Sequence, residues 1–298
     1  MGKPEDLKTY IIDLSGNREV LFCIDRSAEN DGNPHSRTKS IYNEDESIME
    51  RLFVKSVYLN DKLQEDSYLN DIPAVKHLEN ESLVFHEPVS MLIGENGTGK
   101  STLIEAIAIA LGFNPEGGTK NYSFSTADSH SDLFRHLTIV RQAYPMAGFF
   151  FRAESFFNVA SSIDEMDKAG GMGRPIIDSY GGVSLHKQSH GESFLALVKN
   201  RFSADGLYIL DEPEAALSPS RMMQLLCRIH DLCENGSQFI IATHSPILMS
   251  YPGAAIYELN EEGIREVAYR ETEHYKITRD FMDKPEVMYR YLFSEEQE

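Results

Sequence analysis

The chain has 298 residues, of which 41% are hydrophobic and 25% are charged, with a formal net charge of −19. This balance supports a packed core and excludes the disordered and fibrous classes. No apolar run approaches the roughly 20 residues that cross a bilayer, and the N-terminal MGKPEDLKTY lacks a signal core, so we expect a cytoplasmic protein without a membrane partner. The three cysteines form no CxxC pair, so we expect neither a disulfide framework nor a zinc ribbon.

The first 90 residues predict an antiparallel β part. The segment LKTYIIDLSGNREVLFCI, residues 7–24, reads as two strands around a turn at Ser15, Gly16 and Asn17. Residues 25–46 are polar and contain the loop signature ENDGNPHS.

A short apolar run, a glycine-rich loop and a helical stretch follow one another over residues 90–112. The loop reads GENGTGKS, and the stretch after it reads TLIEAIAIALG. Because bare backbone N–H groups at a helix start bind phosphate, this order predicts a nucleoside triphosphate site. Lys100 should reach the β- and γ-phosphates, and the Ser101 hydroxyl should bind Mg²⁺. The predicted nucleotide contacts are Gly94, Glu95, Asn96, Gly97, Thr98, Gly99, Lys100, Ser101 and Thr102.

Residues 114–131 read as a loop-like insertion after the predicted helix.

The middle of the chain is less acidic than its ends. Residues 130–201 carry a net charge of +1, against −8 for residues 1–90 and −10 for residues 202–298. Most of the surface should therefore repel DNA. The basic residues of the middle segment either form a local basic face or are solvated charges or nucleotide contacts: Arg135, Arg141, Arg152, Lys168, Arg174 and Lys187.

Three motifs in the second half of the chain extend the predicted site. Ser189, Gly191 and Glu192 open the helical stretch SFLALVKNRF, where they are either an anion site or an ordinary N-cap. The apolar run of LYILDEP ends in Asp211 for the Mg²⁺ shell and Glu212 for the attacking water. The strand QFIIA then leads to His244, which is placed to bind a γ-phosphate or the lytic water.

The tail predicts a further hairpin and helices. Residues 255–259 and 264–268 flank a turn at residues 260–263, and residues 275–282 and 285–293 have a helical pattern. Nothing in the tail resembles the acidic metal cluster of a Toprim nuclease.

These motifs together resemble the ATP-binding cassette (ABC) superfamily, and most closely its RecF-type and SMC-type heads and the short "AAA family" predicted ATPases. GENGTGKS resembles Walker A, SHGE the signature, LYILDEP Walker B, ALS at 216–218 the D-loop and THS at 243–245 the switch-histidine loop. The signature departs from LSGGQ because His190 replaces a glycine. Gln142 and Glu154 are both candidates for the Q-loop residue. The segment 158–188 is too short for the long arms of SMC proteins.

The resemblance implies an α/β fold: a P-loop NTPase core with a mostly parallel sheet, an N-terminal antiparallel β subdomain and a short helical subdomain. It implies one domain over residues 1–298. Within it, residues 1–90 form the β-rich part, residues 91–157 and 189–298 the core with its C-terminal hairpin and helices, and residues 158–188 the signature subdomain.

The resemblance also implies a mechanism shared between two copies of the chain. ATP with Mg²⁺ on one Walker A is closed over by the signature of the partner in a homodimer, and hydrolysis separates the pair. The output is an effector protein, such as a nuclease or toxin in DNA repair or phage defence. A nucleotide-gated regulator with little turnover and the ATPase subunit of a transporter are the alternatives. ATP itself is implied by the resemblance, since Tyr42, Tyr58 and Phe85 are all left open as adenine-stacking residues.

Overall fold

The computed structural model describes residues 7–13, 19–25, 52–120, 131–169 and 175–293. The chain divides into two compact units, Met1–Ile48 and Met49–Glu298. In the first, β1 (Leu7–Asp13) and β2 (Glu19–Asp25) form the predicted antiparallel pair. The turn predicted at residues 15–17, the polar residues 26–46 and residues 121–130 of the loop-like insertion lie outside the described residues.

The second unit contains the remaining strands and all the helices that the described residues form. Its strands are β3 (Val54–Leu59), β4 (Leu83–Val84), β5 (Val89–Gly94), β6 (Leu137–Arg141), β7 (Ala147–Arg152), β8 (Gly206–Asp211), β9 (Gln238–Ala242), β10 (Ala255–Asn260) and β11 (Gly263–Glu266). Its helices are α1 (Pro73–Leu78), α2 (Lys100–Ala110), α3 (Leu133–His136), α4 (Phe156–Ala169), α5 (His190–Arg201), α6 (Pro219–Cys233), α7 (Pro246–Met249), α8 (Glu273–Asp283) and α9 (Pro285–Phe293).

A six-stranded sheet in the order β11-β10-β5-β9-β8-β7 forms the centre of this unit. Its strands pair in parallel except at the β10–β11 hairpin, which is antiparallel as predicted. The histidine-loop strand β9 is inserted between the P-loop strand β5 and the acidic strand β8. Across the sheet Arg152 lies opposite Asp211, and Asp211 opposite Ala242. The carboxyl ends of β5, β7, β8 and β9 therefore meet at one edge, where open α/β sheets bind their ligands.

The central strands are buried on both faces, which explains why they read as continuous apolar runs. In β8, Leu207 and Ile209 pack into one core with α2, while Tyr208 and Leu210 pack into a second core with α5 and α6. The sheet thus separates two apolar layers, and the fold is the α/β arrangement with a mostly parallel sheet that the sequence predicts.

A separate antiparallel sheet in the order β4-β3-β6 packs in the layer of α2. The side-chain amide of Gln238 ties it to the start of β9: Val54 N donates to Gln238 Oε1 and Gln238 Nε2 donates to Val54 O, both at 2.9 Å. Since Gln238 is only 1% exposed, this paired bond satisfies a buried amide and fixes the small sheet against the large one.

The C-terminal helical pattern is confirmed as α8 and α9. Within the part of the chain that the structure describes, no helix combines the length and the apolar character needed to cross a membrane.

Candidate functional site

The P-loop is shaped by three glycines in left-handed conformations. At Gly94, with φ +142°, an added Cβ would lie 2.2 Å from the Leu259 carbonyl oxygen, and at Gly99, with φ +97°, it would lie 2.3 Å from Ile72 Cγ2. At Gly97, with φ +87°, no atom lies within 4 Å of that position. The first two glycines are thus required by close packing, whereas Gly97 opens the loop towards the outside.

The rest of the loop fits a polyanion by its donors. Glu95, Asn96 and Gly97 are exposed, and the Thr98 hydroxyl donates to the Glu95 carbonyl at 2.9 Å, which braces the turn. Helix α2 begins immediately after Gly99, so the first N–H groups of its initial turn, including those of Ser101 and Thr102, have no intrahelical partner. Such amides and the helix dipole favour phosphate.

Lys100 lies under this loop with only 4% of its surface exposed. Its Nζ donates to the carbonyl oxygens of Gly94 at 2.7 Å and Glu95 at 2.8 Å. Burial lowers the pKa of the ammonium, and the carboxylates of Glu212 and Asp211 oppose that change. The side chain is therefore held ready to donate to phosphate oxygens at the mouth of the loop.

Asp211 ends β8 beside the start of α2, where the Ser101 hydroxyl donates to its Oδ1 at 3.3 Å. Burial raises the pKa of Asp211 to about 7, although the guanidinium of Arg152, with Nε 3.7 Å from Oδ2, lowers it. Hydroxyl and carboxylate oxygens are hard ligands of the kind Mg²⁺ prefers, so this pair fits the metal that a bound triphosphate carries.

Glu212 adopts an uncommon backbone conformation for a residue with a side chain. Its φ and ψ are both 51°, in the left-handed region, and its N–H donates to the Ala242 carbonyl at 2.9 Å. This conformation directs the carboxylate to the loop after β9, where Oε1 lies 3.8 Å from His244 Nε2. Non-glycine residues held in this region cluster at active sites.

His244 is held by two residues that the sequence reading did not identify. Its backbone N–H donates to Glu214 Oε1, and its Nδ1 lies 3.2 Å from Nε2 of His274 on α8. Burial lowers the pKa of His244, and the charge of Lys100 lowers it further. The imidazole is therefore neutral near pH 7, with Nε2 on the side of Glu212.

The signature residues form the start of α5. Ser189 is its N-cap and makes a capping box with Glu192: Glu192 Oε2 accepts from the Ser189 N–H at 2.9 Å and from its hydroxyl at 2.7 Å. Both residues are exposed. Arg221 also reaches them, with NH1 3.2 Å from Ser189 Oγ and NH2 3.2 Å from Glu192 Oε1. Gly191 is buried, and an added Cβ there would lie 2.7 Å from the Ala216 carbonyl, so the signature packs on the segment that follows Glu212.

The two Q-loop candidates occupy different places. Gln142 follows β6 at the edge of the small sheet, and its N–H donates to the Phe53 carbonyl at 3.2 Å. Glu154 lies two residues beyond β7, at the edge shared with Asp211, and its Oε2 is 3.5 Å from Arg152 NH2. The geometry thus brings Glu154, and not Gln142, to the carboxyl edge of β8.

Of the aromatic residues left open for adenine, Phe85 is only 2% exposed and packs edge-on against Tyr257, with ring centroids 5.9 Å apart. It is therefore unavailable to a base. Tyr58 is 37% exposed, and Tyr42 lies outside the described residues.

Two protein-family models match the chain over the segments that contain these motifs. A model described as "AAA domain" matches residues 72–144, which include the P-loop. A model described as "AAA domain, putative AbiEii toxin, Type IV TA system" matches residues 177–250, which include the signature, the acidic strand and the histidine loop. Over these two segments the chain is therefore similar to AAA domains.

Comparisons with whole proteins add similarities of a weaker kind. No curated protein gives a significant match to this chain. Among solved structures, it is similar to the ADP conformation of MJ1267, an ATP-binding cassette of an ABC transporter (17% identity, 82% of this chain and 99% of that chain, TM-score 0.41). It is also similar to cbiO1 of Clostridium perfringens, part of the ABC transporter complex cbiONQ (17% identity, 79% of this chain and 97% of that chain, TM-score 0.44). A third similar structure is the dimeric bacterial ABC transporter cassette MJ0796 (18% identity, 74% of this chain and 99% of that chain, TM-score 0.41).

Arg152 is a site residue that is difficult to identify from the sequence alone. The middle-segment arginine lies among three carboxylates, in ion pairs with Glu105 on α2, with Glu154 and with Asp211. It is therefore part of the site, and the alternative of a solvated surface charge does not apply to it. In the sequence, only the position of Arg152 at the end of β7 distinguishes it from the other basic residues of the middle segment.

The two histidines of the site predict a pH dependence of folding. Burial lowers the pKa of both His244 and His274 below the ordinary value of 6.5. At these two residues the unfolded chain therefore binds protons more readily than the folded protein, and their contribution to the free energy of unfolding should fall as the pH decreases below that value. The raised pKa of Asp211 acts in the opposite direction in every variant that keeps Asp211, so the histidine contribution is the difference between the wild type and a variant without the two histidines. Urea unfolding at about pH 7.5 and about pH 5.5 measures this difference.

The matched comparison is the double variant His244→Gln/His274→Gln. Between about pH 7.5 and about pH 5.5, its free energy of unfolding should change less unfavourably than that of the wild type. An equal change of the free energy of unfolding in the double variant and the wild type would contradict the assignment of buried neutral histidines.

Proposed function

We propose that this chain hydrolyses ATP with Mg²⁺ and works as a nucleotide-dependent switch built from two copies. The observation that carries this proposal is that the ends of β5, β8 and β9 bring Lys100, the Ser101–Asp211 pair and the Glu212–His244 pair to one edge of the sheet. These are the groups that binding and hydrolysing a triphosphate requires, and they come from three separate motifs of the sequence.

The bound triphosphate lies against the loop amides and Lys100, which replace the solvation of the phosphate oxygens. Ser101 and Asp211 would hold Mg²⁺, which would neutralise the charge that develops on the phosphates. Glu212 accepts a proton from the attacking water, since it is the more exposed of the two carboxylates at 41% and lies next to the imidazole of His244. His244 donates from Nε2 to the γ-phosphate or to that water.

A second copy completes the site. The loop around Gly97 opens outwards, so one chain alone leaves the triphosphate exposed to water on that side. The exposed N-cap of α5, at Ser189, lies at a helix N-terminus, which favours an anion as the P-loop does, and its hydroxyl would turn from Glu192 Oε2 to the partner's triphosphate in the dimer. In a two-fold dimer each copy presents its Ser189 to the other copy's P-loop, so both sites form together.

Hydrolysis then removes the γ-phosphate that both copies grip, and the dimer opens. We infer that the output is an effector protein of the nuclease or toxin class, in DNA repair or phage defence. The toxin–antitoxin description of the matching family model is the support for that class. The protein acts in the cytoplasm, and ATP is its nucleotide.

The dimer predicts the behaviour of Ser189→Arg. A bulky cation at this exposed N-cap should leave ATP binding within about twofold of wild type, because the P-loop of the same chain is untouched, and should abolish ATP-dependent dimerisation and hydrolysis. Light scattering with Mg-ATP measures the dimer, and phosphate release measures turnover.

Ser203→Arg is the matched control, since Ser203 is an exposed serine that precedes β8, at the opposite edge of the sheet. It should dimerise and hydrolyse as the wild type does. Normal dimerisation of Ser189→Arg would contradict the shared site, and failure of wild-type protein to release phosphate would contradict the proposed function itself.

A further inference from the structure

We propose that His274 is a positioning residue that fixes the tautomer of His244 and so aims its Nε2–H at the reacting groups. This inference rests on the proposed function. Its basis is the contact between the two imidazoles, in which His244 Nδ1 lies 3.2 Å from His274 Nε2, and the position of His244 Nε2, 3.8 Å from Glu212 Oε1.

The direction of the shared hydrogen bond follows from the partners on the two sides of His244. A neutral imidazole carries one proton, on either Nδ1 or Nε2. Carboxylate and phosphate oxygens only accept hydrogen bonds, so Nε2 faces groups that require it to be the donor. Nδ1 must then accept, and the donor within reach is Nε2–H of His274. The second histidine thus selects the tautomer in which the first can serve the site.

The start of α8 holds His274 in place for this role. Thr272 is fully buried and caps the helix: its hydroxyl donates to the Tyr269 carbonyl at 2.8 Å and accepts from the Tyr275 N–H at 3.2 Å. The rings of Tyr269 and Tyr275 pack with centroids 4.8 Å apart. Because the backbone on both sides is fixed, His274 reaches His244 from a rigid helix start.

Three buried polar atoms around this pair of histidines have no hydrogen-bond partner. Within the described ranges, Nε2 of His244, Nδ1 of His274 and Oε2 of Glu214 are each buried without a hydrogen-bond partner. Buried polar atoms are nearly always paired, so such a group marks a place where water or substrate oxygens complete the network. The hydrogen bond from His274 to His244 therefore leaves Nε2 of His244 free to bind water or a substrate oxygen, which a packing contact alone would not do.

The first test reads the tautomer directly and needs no turnover. In protein labelled with ¹⁵N-histidine, the ring nitrogen shifts of His244 should show a protonated Nε2 and an unprotonated Nδ1. In His274→Phe, which keeps a ring and removes the donor, they should move to a mixture of tautomers or to the opposite one. Unchanged shifts in that variant would overturn the inference, whatever the activity of the protein.

The second test separates positioning from support of the fold. We expect His274→Phe and His274→Ala to lower kcat for ATP at least about 10-fold while KM changes less than about twofold, because the lost interaction acts after binding. His274→Gln, whose side-chain amide is again a donor, should recover most of kcat. Lys276→Ala, at an exposed residue of the same helix, should behave as wild type.

The outcomes distinguish this inference from the proposed function. Wild-type protein that hydrolyses ATP, together with His274→Phe at the wild-type rate, would remove His274 from the mechanism and leave the ATPase intact. A fall in kcat of His274→Phe that is matched by a rise in KM of the same size, and that His274→Gln does not reverse, would indicate a structural role. That result would also overturn the proposal.

Discussion

Glu212→Gln should bind ATP with wild-type affinity and hydrolyse it about 10²- to 10⁴-fold more slowly, since it removes the general base and keeps the shape of the side chain. An amide does not accept the proton that the attacking water must lose. The left-handed backbone at this position, with its N–H bonded to the Ala242 carbonyl, is unchanged by the substitution, so the amide occupies the place of the carboxylate. Single-turnover phosphate release measures the effect.

The same variant should accumulate the closed dimer in Mg-ATP, because the step that opens it is blocked. Glu234→Gln, at an exposed glutamate that caps the end of α6, is the matched control and should turn over normally. Turnover of Glu212→Gln within about threefold of wild type would remove Glu212 from the role of base.

Lys100→Ala should weaken ATP binding by at least about 10-fold, since charge-assisted hydrogen bonds to phosphate contribute about 1.5–3 kcal/mol. The buried ammonium lies below the loop, and it also donates to the Gly94 and Glu95 carbonyls, so its removal takes away both a phosphate contact and a brace of the loop. Titration with a fluorescent ATP analogue gives the affinity.

Lys55→Ala serves as the control, because Lys55 is an exposed lysine on β3 in the small sheet. Its affinity should equal that of the wild type, and circular dichroism should show that both variants are folded. A folded Lys100→Ala protein with unchanged ATP affinity would contradict the phosphate role of the loop.

The sequence predicts much of this fold because its strands carry strong local signals. The strands β5, β8 and β9 are apolar throughout because they are buried on both faces, and each ends in a motif with its own chemistry. The hairpin of β10 and β11 follows from a turn between two apolar runs. What no local pattern specifies is the order of the strands, and β9 lies between β5 and β8 only because of pairing in three dimensions.

The contacts that complete the site could not be predicted from the sequence, because they too depend on three-dimensional packing. His274 is 30 residues beyond His244, and Glu105 is 47 residues before Arg152, so their pairing depends on the packing of whole elements. Gln142 and Glu154 are equally plausible from spacing alone, and the strand pairing shows only that their positions differ, because β7 lies beside β8 and β6 lies in the other sheet.

Mixing Lys100→Ala with Ser189→Arg tests the central claim most directly. Each variant alone should hydrolyse almost no ATP, the first for want of a nucleotide and the second for want of a dimer. In the mixed dimer one site joins the intact P-loop of the Ser189→Arg chain to the intact Ser189 of its partner. We therefore expect the mixture to hydrolyse ATP well above the sum of the two variants. A mixture that forms mixed dimers by native mass spectrometry and still hydrolyses no more than that sum would contradict a site shared between two copies.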